Sequence, residues 1–148
     1  MPAYSKWVAC SSLAVLIALY VVGGASQVHG SLRHEVQTLP LWFPIVWGFR
    51  NRALAKWSAL PCFAIWLVIM LHIWLYLLGW AQLLKGQYNP VEIAMTLIVG
   101  VACLYGIGSA LRWKTAVRPA AAAGVVALFA VLQMLALRLS LIAYIRGR

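Results

Sequence analysis

The stretch WSALPCFAIWLVIMLHIWLYLLGW, residues 57–80, decides the fold of this chain. It opens a longer run, Trp57 to Leu84, that carries no formal charge. At about 1.5 Å per residue the quoted stretch makes a helix roughly 36 Å long, whereas crossing a hydrocarbon core needs only about 20 apolar residues. Trp57 and Trp80 stand at its two ends, where aromatic rings favour the headgroup boundary. The stretch therefore predicts a transmembrane helix.

The composition extends this prediction to the whole chain. Of its 148 residues, 65% are hydrophobic and 9% are charged, whereas soluble domains carry about 25% charged residues. So few charges could not cover the apolar surface of a small soluble domain, and we expect a single all-α membrane domain. The net charge is +10, and the basic residues lie between or beside apolar runs, which is typical of membrane proteins that meet anionic lipid headgroups. No nucleic-acid partner is expected, because no basic face is free of membrane segments.

Four apolar runs predict four transmembrane helices. We place them at about residues 7–25, 57–82, 90–111 and 119–145. The first run has the outline of a secretory signal peptide, with Lys6 before it and small residues at 23–26 after it. It is long for such a peptide and lacks an A-x-A cleavage site, so a retained helix is the favoured interpretation.

A short aromatic segment at about residues 38–52 precedes the second predicted helix. Pro40 and Pro44 resist a continuous helix, and the nine residues 41–49 are too short to span a bilayer. Four rings there nevertheless need apolar surroundings: Trp42, Phe43, Trp47 and Phe49. The sequence therefore predicts an interfacial or re-entrant segment, which is either an anchor beneath the headgroups or a lid over a cavity.

Local signals in the third predicted helix indicate how it begins and packs. Asn89 at the N-cap and Glu92 at the third helical position indicate a capping box. Ala102, Gly106 and Ala110 recur at every fourth position, and such a stripe lets a second helix approach closely. We therefore expect Glu92 to be structural and the stripe to be a helix interface.

Few polar side chains lie at depths where membrane proteins carry chemistry. His72 is the one titratable group well inside a predicted span, and Tyr76 follows it on the same face. His72 could bond to a neighbouring helix, relay protons or ligate haem opposite Met95 or Met134, and a bond between helices is the simplest interpretation. Arg138 follows nineteen uncharged residues that already cover about 28 Å, so its guanidinium can reach the far interface. The alternative is that Arg138 guides an anion through a pore.

No other motif points to a defined reaction. A weak acid–base or metal pattern, short of known zinc spacings, is formed by His29, Arg33, His34 and Glu35. The chain has three cysteines and no C-x-x-C motif, and we interpret them as packing residues: Cys10, Cys62 and Cys103. We therefore predict no catalytic residue, metal or cofactor, with His72 as the weak candidate for a cofactor ligand.

The leading functional hypothesis is a small non-enzymatic membrane protein that acts through helix packing, as an accessory subunit or a homo-oligomer. The alternative is a small transporter or channel whose pathway between protomers is lined by His72, Tyr76 and Arg138. A third hypothesis is a redox or lipid-modifying enzyme that uses His72, or His34 with Glu35.

The basic residues predict an orientation in a bacterial inner membrane. If the chain crosses the membrane four times, seven basic residues lie on the same side as the segment between the first and second helices: Arg33, Arg50, Arg52, Lys56, Arg112, Lys114 and Arg118. Four lie on the other side: Lys6, Lys85, Arg146 and Arg148. The positive-inside rule then places both termini outside the cytoplasm.

Overall fold

The structure, a computed structural model, describes residues 2–25, 32–80 and 87–146, so His29, Lys85 and Arg148 lie outside the described residues. Over the described ranges the chain forms helices and no strand. The helices are α1 (Pro2–Ala25), α2 (Leu32–Thr38), a 3₁₀ turn (Leu39–Leu41), α3 (Trp42–Phe49), α4 (Leu54–Leu77), α5 (Pro90–Arg112) and α6 (Pro119–Arg146). Four of them, α1, α4, α5 and α6, are long and apolar enough to cross a membrane. The predicted all-α class with four such helices is therefore confirmed.

Two turns at the ends of α4 follow from particular residues. Asn51 has a φ of 52° in the tight turn between α3 and α4, and asparagine tolerates this left-handed region better than most residues. At the other end Gly79 has a φ of 79°, and the amides of Gly79 and Trp80 donate to the carbonyls of Tyr76 and Leu75 at 2.9 and 2.8 Å. These two bonds make a Schellman motif, which ends α4 at Leu77, about five residues before the predicted end.

Contacts at both ends of α5 fix its direction. Asn89, which caps the start of α5, has its Nδ2 3.5 Å from the carbonyl oxygen of Ala25 at the end of α1. Trp113, directly after α5, accepts a hydrogen bond at 2.8 Å from the Lys56 Nζ near the start of α4. Helix α5 is therefore antiparallel to both α1 and α4, on which it packs.

Residues 32–53, between α1 and α4, pack along the bundle with one face buried and the other exposed. A Cβ built on Gly23, near the end of α1, would lie 3.2 Å from His34 Nδ1. At the other end of α1 the Ser5 hydroxyl donates to the carbonyl of Gly48, and Leu41 between these two contacts is fully buried. The segment thus runs antiparallel to α1 along most of its length, from one end of the bundle to the other.

Chain length explains why this segment reaches so far. The nine residues 41–49 are too short to span, but α2, the 3₁₀ turn and α3 together run from Leu32 to Phe49, and 18 residues cover about 27 Å as a helix. Pro40 lies in the 3₁₀ turn and interrupts the helix without ending it, because proline removes a backbone donor. The aromatic segment therefore packs on α1 and α4 as part of a helical run that follows the length of the bundle.

The two ends of the described chain lie at opposite ends of the bundle. Helix α1 begins beside Gly48 and the start of α4, whereas α6 ends beside α2, where Gln37 Nε2 donates to Ser140 Oγ at 2.9 Å. The predicted orientation placed both termini on the same side of the membrane, whereas the described ends lie at opposite ends of the bundle. It treated residues 38–52 as an interfacial or re-entrant segment, so it did not count their passage along the bundle.

Candidate functional site

Charged residues divide unevenly between the two ends of the bundle. The end that we call the basic end holds seven basic residues: Lys6, Arg50, Arg52, Lys56, Arg112, Lys114 and Arg118. The end that we call the polar end holds both acids of the chain, Glu35 and Glu92, together with Arg33 and His34. At the basic end all of these side chains except Lys56 are exposed. Polar groups that are also partly buried therefore concentrate at the polar end.

Three polar side chains form a buried network between α2 and α6. Gln133 is fully buried, and its Nε2 donates to the main-chain carbonyl of Gln37 at 2.9 Å. The Gln37 Nε2 donates to the Ser140 hydroxyl, which in turn donates to the carbonyl of Leu137. Buried polar groups cost free energy unless they are hydrogen-bonded, so this network holds α2 against α6.

One acceptor of the network is left over. The Gln133 Oε1 is buried and has no hydrogen-bond partner among the described residues, and the same holds for the indole N–H of Trp66 on α4. Both residues lie about midway along their helices, and α4 packs on α6. An unpaired buried polar group costs about 1–3 kcal/mol. An acceptor and a donor at mid-depth are therefore positions where a water molecule or a polar ligand group would be stabilised.

The capping box begins α5 at the polar end. The Glu92 amide donates to Asn89 Oδ1, and the Asn89 amide donates to Glu92 Oε2, both at 2.8 Å. The carboxylate also faces the positive end of the helix macrodipole. Glu92 is thus occupied by a structural role, which leaves Glu35 as the exposed acid of this end.

Two tyrosines meet next to this cap. The rings of Tyr76 and Tyr88 lie 6.1 Å apart between centroids. Burial raises the pKa of the Tyr88 phenol, the neighbouring Tyr76 and Glu92 raise it further, and Arg33 acts in the opposite direction. A tyrosine ordinarily titrates near pH 10, so this phenol is protonated and able to donate a hydrogen bond at neutral pH, and the raised pKa extends that range upward.

His72 bonds within its own helix. Its Nδ1 lies 2.9 Å from the carbonyl oxygen of Val68, one turn earlier in α4. A side chain on a helix leans towards the N-terminus, which brings it over the preceding turn. The His72 Nδ1 therefore does not make the expected hydrogen bond to a neighbouring helix. Since a carbonyl only accepts, the bond requires the proton on Nδ1.

The three residues suggested for a transport pathway are not joined in the structure. Tyr76 pairs with Tyr88, and His72 bonds to Val68. Arg138 is exposed on α6 and makes no hydrogen bond or ion pair with the described part of the chain. Of the methionines considered as haem ligands, Met134 is half-exposed on α6 and Met95 packs against the core from α5.

The small-residue stripe of α5 is used inside the protomer. Ala102, Gly106 and Ala110 are all buried. A Cβ built on Gly106 would lie 2.4 Å from Phe63 Cε2 on α4, so any larger residue here would require the Phe63 ring or one of the two helices to shift. The stripe is a helix interface with α4.

Cysteines and acids do not converge on a metal site. Within the described ranges, no three His, Cys, Asp or Glu side chains are placed so that they could hold a metal ion. Cys62 and Cys103 are buried free thiols in the core. Cys10 is exposed, so the packing interpretation is wrong for that residue.

Sequence reasoning missed the two glutamines of the buried network. Gln133 carries a polar amide within the uncharged run before Arg138. This position was an available signal, because polar side chains inside membranes form hydrogen bonds with neighbouring helices. Gln37 gave no such signal, because it lies in the polar interval just before the predicted aromatic segment, where no helix was expected.

The fold and these sites define the class of the protein: a helical membrane protein with four helices able to cross a bilayer. Comparisons with known protein families, with curated proteins and with solved structures found no match.

Proposed function

We propose that this protein is a multi-pass component of the bacterial inner membrane that acts through helix packing, and that it self-associates through α5. Its buried stripe is already used against α4, so the association must use a different surface. The outer face of α5 is the one best patterned for it.

The outer face of α5 carries a heptad pattern. Leucines alternate with smaller residues at spacings of three and four along the helix: Ala94, Leu97, Val101, Leu104, Gly108 and Leu111. This period of 3.5 residues is that of left-handed coiled coils, and most helix pairs in membranes cross at the corresponding angle of about +20°. Val101, Leu104 and Leu111 are 65%, 60% and 67% exposed in the protomer. The observation that carries the proposal is this coiled-coil seam, on which no helix of the described part of the chain packs.

A second copy of α5 fits the seam. Identical chains inserted in the same orientation meet about a two-fold axis along the membrane normal, and each residue then faces its own counterpart. Gly108 would face Gly108, and a Cβ built there meets no atom within 4 Å in the protomer. The open space at Gly108 supports close approach of two backbones near the basic end.

We further propose that the basic end faces the cytoplasm. It holds seven basic residues, whereas Arg33, Arg138 and, by their place in the sequence, Lys85, Arg146 and Arg148 make five for the other side. The positive-inside rule then puts the N-terminus in the cytoplasm and the C-terminus outside. Lys6, which opposed the four-crossing orientation, agrees with this one.

Cysteine cross-linking in native membranes tests the association. In a background with the native cysteines replaced by alanine, Val101→Cys should form disulfide-linked dimers under mild oxidation. The matched control is Val131→Cys on α6, because Val131 is 64% exposed but lies outside the seam, and it should remain monomeric. Absence of a dimer for Val101→Cys, or equal cross-linking of both variants, would refute the seam. Cross-linking of Val101→Cys only to another protein would replace self-association by an accessory-subunit role.

A further inference from the structure

The outer face of α6 carries a shallow apolar groove that ends at a cation. The groove is lined by Ala130, Val131, Met134, Leu135 and Arg138. Val131, Met134 and Leu135 are all at least half-exposed, whereas the smaller Ala130 between them is less exposed. Residues 130 to 138 cover about 12 Å of helix, which is within the roughly 15 Å of one leaflet's hydrocarbon. The groove is therefore short enough to lie in a single leaflet.

Arg138 brings an unpaired charge to one end of this groove. Its guanidinium makes no ion pair within the part of the chain that the structure describes, and Glu92 is engaged in its capping box. Arg138 lies 19 residues after the start of α6, or about 28 Å along the helix. The neighbouring Ser140 bonds to Gln37 near the polar end. The charge thus lies close to the headgroup depth of the leaflet at the polar end.

We propose that this groove binds one anionic phospholipid. The phosphate is held by Arg138 and an acyl chain lies along Val131 and Met134. A guanidinium matches a phosphate in planar, two-pronged hydrogen bonds, and such bonds are stronger near the hydrocarbon because the local dielectric constant is low. An occupant that combines an anion with an apolar chain satisfies both the cation and the groove, whereas a free anion satisfies only the cation. The site is on α6 and does not depend on association through α5.

Native mass spectrometry of the protein in lipid nanodiscs or mild detergent tests this site. Phosphatidylglycerol should bind the wild type more tightly than phosphatidylcholine does. Arg138→Gln should weaken phosphatidylglycerol binding about tenfold, since hydrogen bonds to charged groups are strong, and should leave phosphatidylcholine binding unchanged. The matched control is Arg118→Gln, which removes an exposed arginine from the start of the same helix at the basic end and should change the affinity little.

Three outcomes would overturn the proposal. One is wild-type affinity of Arg138→Gln for phosphatidylglycerol, and another is an equal loss in Arg118→Gln, which would indicate diffuse attraction to net charge. The third is displacement of the lipid by millimolar inorganic phosphate, which would indicate a site for a soluble anion. Thermal unfolding in phosphatidylcholine nanodiscs verifies that each variant is folded. If Arg138→Gln fails that test, Arg138→Lys keeps the charge and should retain the preference for phosphatidylglycerol over phosphatidylcholine.

Discussion

At Gly106 the absence of a side chain sets the distance between α4 and α5. Phe63 occupies the space that a Cβ would need, with its Cε2 2.4 Å from that position. We predict that Gly106→Leu lowers the free energy of unfolding by about 1–3 kcal/mol or more, because overpacking forces side chains and backbone apart. Thermal unfolding in mild detergent measures this change.

Gly100→Leu is the matched control for this substitution. Gly100 lies on the same helix, and a Cβ built there meets no atom within 4 Å. Its replacement should leave stability unchanged or raise it slightly, since glycine is a poor helix former. Equal melting temperatures for the two variants would show that α4 and α5 pack less tightly at Gly106 than they do in the structure. Partial rescue of Gly106→Leu by Phe63→Ala would assign the loss to this one contact.

Single residues also show where sequence reasoning stops. The capping box at Asn89 could be predicted because its partners lie three positions apart in the chain. His72 could be located at depth, but its partner could not be predicted, because the preceding turn and the neighbouring helix both offer acceptors. Gln133 depends on a partner 96 residues away, and no local pattern encodes that distance. A cap whose two partners have a defined spacing is thus predictable from sequence, whereas a polar contact with several available acceptors, or with a distant helix, is not.

Among the elements, α2, the 3₁₀ turn and α3 departed most from expectation. The four long helices could be predicted because the length of an uninterrupted apolar run can be compared directly with the thickness of a bilayer. In the shorter segment the prolines divide one helical run into short helices, and each of these alone is too short to predict a transmembrane helix. Gln37 and Thr38 are buried there, although their polarity indicated a surface position. Their hydrogen bonds within the bundle explain how polar residues are accommodated at depth.

The buried network is what docks this element onto α6. We predict that Gln133→Leu releases it, because the substitution removes the donor to the Gln37 carbonyl and leaves that carbonyl unpaired at a cost of about 1–3 kcal/mol. Hydrogen–deuterium exchange should then accelerate in residues 34–49 more than in α5. Met134→Leu, at the exposed adjacent position, is the control and should leave exchange unchanged. Unaltered protection in Gln133→Leu would mean that apolar packing around Leu41 suffices to hold the segment.

For the whole molecule, one element changes the topology. Residues 32–49 run the length of the bundle, so the successive helices of the described chain alternate in direction and its two ends lie at opposite ends of the bundle, which supports five crossings in the proposed topology. The charges support this arrangement, because Lys6 joins the basic residues that flank α4 and follow α5. In the two proposals the outer faces of α5 and α6 have different partners, a second copy of α5 for the first and an anionic phospholipid for the second.

The topology is testable with two cysteines in whole cells. In a background with the native cysteines replaced by alanine, we place Ala116→Cys after α5 at the basic end and Gln87→Cys before α5 at the polar end. Both positions are exposed, so they differ chiefly in the side of the membrane. A membrane-impermeant thiol reagent added outside should label position 87 and spare position 116 until the cells are permeabilised. The reverse pattern would invert the molecule and place the basic end outside. If α5 does not cross the membrane, both positions will behave alike.

Tags at the two termini complete the experiment: with five crossings only the C-terminal tag is accessible from outside, whereas with four both tags are on one side.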